Sequence, residues 1–139
     1  MKGTVKDVMT SRPISLSSDA TVVEAARRMR EADIGPVVVM DGEKIRGIVT
    51  DRDIVVRCVA EGGDVRTAKV GDVCSADVTT VASDATIEEA ARLMRDKALR
   101  RLPVVDRGKP VGIVTLGDLA VQADPSSALG GISAASPND

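Results

Sequence analysis

The chain has 139 residues, 43% hydrophobic and 29% charged, with a formal net charge of −2. That is the composition and size of one ordinary globular domain, not of a disordered chain. It contains no His and no Phe, Tyr or Trp, so it lacks the commonest general acid/base and metal ligand and any aromatic platform for stacking bases. No apolar run is long enough to cross a bilayer, and the near-neutral charge creates no field that gathers nucleic acid.

Met1-Lys2-Gly3-Thr4 carries no signal-like apolar stretch, so the expectation is a cytoplasmic protein. Val5 to Met9 reads as a short apolar-spaced turn, and Ile14-Ser15-Leu16 alternates like a short strand. A helix should then begin at Thr21, where Thr21 and Glu24 fit a capping box. Val22, Ala25, Ala26 and Met29 follow at i, i+3, i+4 and i+7, one apolar helical face. Two β-branched runs come next, Val37 to Met40 and Ile45 to Thr50, joined by the hairpin signal Asp41-Gly42. A second helix is predicted from about Asp51 to Val59, and the polar, Gly-rich Glu61-Gly62-Gly63-Asp64 closes the segment.

The remainder repeats this order. A shift of 65 positions aligns residues 5–54 with 70–119, with roughly 21 of 50 identical. Val70 to Cys74 mirrors the first turn, and Val78 to Val81 the first strand. Thr86 and Glu89 repeat the capping box, and Ile87, Ala90, Ala91 and Met94 the apolar face. Leu102 to Val105 and Pro110 to Thr115 repeat the two runs, with Arg107-Gly108 between, and a helix follows from Gly117 toward Val121. The fold class is therefore mixed α/β (α+β), with tandem β-α-β-β-α repeats at about 5–60 and 70–121. Neither repeat is large enough to bury a full core alone. Residues 1–121 are expected to pack as one pseudo-twofold pair with two related clefts. The unpatterned stretch 122–139, rich in Ser, Gly and Pro, is expected to be a flexible tail.

Cys58 and Cys74 lack further soft ligands for a structural zinc and read as ordinary thiols in a reducing compartment, with a disulfide or redox pair as the alternative. Glu24 and Arg28, like Asp96 and Arg100, have i,i+4 spacing and read as solvated helical pairs. One motif stands out for chemistry. Each copy has Gly-Ile-Val-Thr ending a strand and an Asp three residues later, at Thr50/Asp53 and Thr115/Asp118. A hydroxyl beside helix-start N–H groups suits a phosphate, and a carboxylate suits a vicinal diol. The same spacing is also plain helix capping.

These residues resemble those of the cystathionine-beta-synthase (CBS) domain. The resemblance lies in Asp7-Val8-Met9, Asp19-Ala20-Thr21, Leu102 to Asp106, and the Gly-Ile-Val-Thr-x-x-Asp motifs at 47–53 and 112–118. It covers about residues 5–121 and implies a stand-alone bacterial CBS pair with no attached enzyme or transporter. It further implies clefts that hold AMP, ADP, ATP or S-adenosylmethionine, with no cofactor required. By resemblance, Asp53 and Asp118 take ribose hydroxyls, and Thr50 and Thr115 lie near phosphate. Adenine would lie at Ile14 and Pro36-Val37 in the first copy, and at Thr79 and Leu102-Pro103 in the second. Arg100 and Arg101 precede that strand and can meet a phosphate, whereas Gly35 and Pro36 bring no charge, so the second site should be the stronger for anionic nucleotides, or the first should prefer a different ligand. The family also implies a homodimer. Three functions compete: a regulatory ligand sensor, a module for dimerisation or for docking to a protein partner that the sequence does not name, and an enzyme. The enzyme ranks last, because no nucleophile–base pair is evident.

Overall fold

The computed structural model describes residues 3–75 and 79–123. They fall into two compact units, and the units do not coincide with the sequence repeats. One unit holds 14–75; the other joins 3–13 to 79–123. Each repeat's leading turn therefore belongs with the strands and helices of the other repeat.

In the unit 14–75, β2 (Ser15–Ser17) runs parallel to β3 (Pro36–Asp41), and β3 pairs antiparallel with β4 (Lys44–Thr50). The helix α2 (Val22–Ala32) packs on this sheet through Val22, Ala25 and Met29, the apolar face that its spacing foretells. Val37, Val39 and Val49 meet it from the strands, and Val70 and Val73 from the short helix α4 (Val70–Val73). The second helix departs from a uniform α-helix. It is α3 (Asp51–Ile54) followed by a π-helical turn, Val55–Val59, which widens the backbone ring and places Cys58 in the core. Cys58 and Cys74 are both free and buried, and burial pushes the Cys74 thiol above its ordinary pKa.

The other unit repeats the plan with an extra edge. Its sheet has the order β1-β7-β6-β5, where β1 is Thr10–Ser11, β5 Val81–Ala82, β6 Arg101–Asp106 and β7 Lys109–Thr115. The helix α5 (Ile87–Lys97) buries Ile87, Ala90 and Met94 against Leu102, Val104 and Val114. Val5 of α1 (Val5–Val8) and Leu119 of α6 (Leu116–Ala123) complete that core.

Several expectations need correction. The first hairpin turns at Gly42-Glu43, since Asp41 still pairs with Lys44; Gly42 supplies the positive φ of 61°. The second turns at Arg107-Gly108 as expected, both at positive φ, as a type I′ turn requires. The capping box closes at Thr86–Glu89, but at Thr21 only the Thr hydroxyl caps, accepting from the Glu24 N–H. Asp96 pairs with Arg95 at 3.7 Å instead of Arg100, and Glu24–Arg28 forms no ion pair among the described residues. Residues 122 and 123 belong to α6, so the helix outlasts the expected tail boundary. The rest of the tail, and Val78 of the expected strand, lie outside the described residues.

Candidate functional site

Each unit brings its Gly-Ile-Val-Thr motif to the point where a strand feeds a helix. The glycine is fixed by a close crossing. A Cβ on Gly47 would overlap the carbonyl oxygen of Ser75, and one on Gly112 would lie 2.8 Å from the Thr10 carbonyl oxygen and clash with Met9. The chain leaving α4 or α1 runs over the strand there, held in the first unit by Ser75 N–H donating to the Ile48 carbonyl at 3.0 Å. With the strand fixed, its final Thr faces a defined helix start.

At the first site, Asp53 Oδ2 accepts from the Thr50 N–H at 2.9 Å and from the Thr50 hydroxyl at 3.0 Å. The Asp53 N–H donates back to Thr50 Oγ1 at 3.2 Å. Asp53 Oδ1 faces the Arg57 Nε at 3.8 Å, and Arg57 also donates to the Cys74 carbonyl at 3.2 Å. One carboxylate oxygen and the Thr50 proton are thus committed within the protein, while the other oxygen faces a half-exposed guanidinium at a distance too long for a hydrogen bond. Pro36 lies opposite Thr50 across the ladder, and the Ile14 carbonyl accepts from the Val38 N–H at 2.8 Å. Ile14 and Pro36 are half-buried, whereas Val37 is wholly buried in the core. Only the Val37 backbone can face a ligand.

At the second site, Asp118 Oδ2 accepts from the Thr115 N–H at 2.8 Å, and the Asp118 N–H donates to Thr115 Oγ1 at 3.1 Å. The hydroxyl proton of Thr115 makes no bond to Asp118, and Asp118 has no ion pair among the described residues. The position equivalent to Arg57 is Gln122. Arg101 lies opposite Thr115, and the Leu116 N–H donates to the Arg100 carbonyl at 2.7 Å, which brings Arg100 to the helix start. Neither guanidinium has an ion pair among the described residues. Leu102 is core, like Val37, and Pro103 is buried opposite Ile113. Thr79 is half-buried in the same unit, two residues before β5.

The sequence reading missed two side chains, Arg57 and Asp51. The i,i+4 spacing of Asp53 and Arg57 was a usable signal. Nothing in the spacing shows that the Asp51 carboxylate lies beside Gly35, where a Cβ would be 3.4 Å from its Oδ1.

Similar proteins are found both by sequence and by fold. CBS domain-containing protein YhcV of Bacillus subtilis is 40% identical over 117 residues, 84% of this chain and 83% of that protein. The solved structure of a CBS-domain protein from Burkholderia ambifaria aligns with a TM-score of 0.78 at 28% identity, covering 90% of this chain and 96% of that one. The CBS domain pair of protein MJ0100, solved in complex with 5′-methylthioadenosine and S-adenosyl-L-methionine, aligns with a TM-score of 0.77 at 26% identity, covering 90% and 98%. The model of the CBS domain matches this sequence twice, over residues 5–59 and 70–122. With both repeats matched and the same fold in its structural neighbours, the chain belongs to the CBS domain family as a tandem pair.

Proposed function

We propose that the protein is a non-catalytic regulatory module that senses an adenosine-containing ligand, AMP, ADP, ATP or S-adenosylmethionine, at the Thr-x-x-Asp strand ends. The observation that carries this reading is the second site. There, among the described residues, one oxygen of Asp118 makes no hydrogen bond or ion pair, the Thr115 hydroxyl donates to no side chain, and the two guanidinium groups at the adjoining strand start have no ion pair. A free carboxylate oxygen accepts from a ribose diol, and the hydroxyl with Arg100 or Arg101 meets a phosphate. The adenosine ligands of the MJ0100 pair support the same class of compound. Adenine would lie against Ile14 and Pro36 at one site and Thr79 and Pro103 at the other, with backbone groups of Val37 and Leu102. No described helix is long and apolar enough to cross a membrane. We place the protein in the cytoplasm, as a homodimer that needs no cofactor.

The test is a thermal-shift screen with these four ligands, read by circular dichroism because the chain lacks Trp and Tyr. A ligand at one hundred times its dissociation constant adds about 2.7 kcal/mol to native stability. No shift with any of them at millimolar concentration overturns the sensor reading. The docking reading then takes its place, supported by Val55, Val56 and Val59, which stand 58%, 45% and 54% exposed along one helix.

A further inference from the structure

The two sites carry opposite charge at the same pair of mirrored positions. In the first, Gly35 precedes β3 and Asp51 follows Thr50, its carboxylate beside the glycine. In the second, the equivalent residues are Arg100 and Leu116, joined by the backbone bond from the Leu116 N–H to the Arg100 carbonyl. A group lying near the strand-end Thr therefore meets an acid in one site and a base beside an aliphatic chain in the other.

The hydrogen bonding points the same way. Thr50 donates its proton to Asp53, whereas among the described residues the Thr115 hydroxyl makes no such bond to Asp118. Among the described residues, Arg57 and Arg52 adjoin the first site. Arg57 is held by Asp53 and the Cys74 carbonyl. Arg52 is exposed at the helix start, one position beyond Asp51. Neither replaces a base at position 35, where the chain has only a glycine.

Resting on the adenosine reading above, we infer that Asp51 is a specificity-determining residue. The Thr50/Asp53 site excludes phosphate and takes adenosine ligands whose 5′ substituent is neutral or cationic, while the Thr115/Asp118 site takes the phosphorylated ones. One chain would then report two metabolite classes independently.

The experiment titrates AMP and 5′-methylthioadenosine separately into the whole protein. Binding at each site is followed by the backbone amide signals of Gly47 and Thr50, and of Gly112 and Thr115. Wild type should bind AMP at the second site at least tenfold more tightly than at the first, with the order levelled or reversed for 5′-methylthioadenosine. Asp51→Asn should strengthen AMP at the first site about two- to fivefold, the scale of one exposed charge pair. It should leave 5′-methylthioadenosine unchanged. The reciprocal Leu116→Asp should weaken AMP at the second site by a similar factor, so the idea does not depend on one variant folding. Equal AMP affinity at the two wild-type sites overturns the inference and spares the adenosine reading. So does an Asp51→Asn effect of equal size on both ligands. Failure of both compounds to bind either site overturns both.

Discussion

Thr115 and Asp118 cap each other: the Thr115 N–H donates to Asp118 Oδ2 at 2.8 Å, and the Asp118 N–H to Thr115 Oγ1 at 3.1 Å. The capping bonds use one carboxylate oxygen and leave the other for a ligand, so the two roles of this Asp separate in a variant series. Asp118→Ala should weaken AMP by roughly 10- to 150-fold, the loss of a charge-assisted hydrogen bond worth about 1.5–3 kcal/mol. It should also cost about 1 kcal/mol of stability through the cap. Calorimetric titration measures the first and urea unfolding the second. Asp53→Ala should cost less in ligand affinity, because Oδ1 of Asp53 already faces Arg57. A folded Asp118→Ala protein that binds as tightly as wild type removes Asp118 from the site.

Gly47 is set by a crossing chain and Gly42 by its backbone angle, and alanine should separate the two causes. A Cβ at Gly47 meets the Ser75 carbonyl oxygen, which is backbone and cannot swing away. Gly47→Ala should therefore destabilise by about 2–3 kcal/mol or more. Gly42 has a φ of 61° and nothing within 4 Å of an added Cβ. Gly42→Ala should cost only the left-handed penalty of about 1–2 kcal/mol. Urea midpoints of the two variants rank them, and a milder effect at Gly47 contradicts the crossing.

The repeat, the two capped helices with their apolar faces and the paired strands were legible in the sequence, because periodicity and caps are local signals. Thr50, Asp53, Thr115 and Asp118 were legible as a motif for the same reason. What was not legible depends on partners distant in sequence. Gly47 and Gly112 looked like motif letters; their reason is a chain that crosses from residue 75 or residue 10. Val37 and Leu102 read as candidate ligand contacts; strand alternation turns their side chains into the core, which leaves only their backbone groups for a ligand and Pro36 and Arg101 half-buried. The exchange of leading turns between units is a tertiary pairing that two repeats of one pattern cannot announce, since nothing local in either turn names its partner sheet.

Asp41 provides a pH probe at the end of the β3–β4 ladder opposite Thr50. The Ser18 hydroxyl donates to Asp41 Oδ1, and Arg46 to Oδ2 at 3.1 Å. These bonds, Ser18 first, hold the Asp41 carboxyl below its ordinary pKa of 3.8. A lowered folded pKa means that the associated stabilisation is present above the unfolded value and fades as pH falls through the folded one. Carboxyl carbon NMR titration should place Asp41 below 3.8 in wild type and nearer that value in Ser18→Ala. An unchanged titration in Ser18→Ala rules out the hydroxyl as the main cause.

Association is the remaining expectation. Val55, Val56 and Val59 lie on one helical segment and are each about half exposed in the single chain. A run of β-branched apolar side chains in water is stabilised by covering it, and closed twofold pairing is the commonest way for identical chains to do so. Sedimentation equilibrium at micromolar concentration should give twice the chain mass of 14.5 kDa. Val56→Asp places a charge in the middle of that patch without touching the core, and should shift the protein toward the chain mass while leaving its far-ultraviolet spectrum unchanged. A wild-type protein that sediments only as a single chain ends the dimer expectation. A dimer indifferent to Val56→Asp moves the interface to another surface.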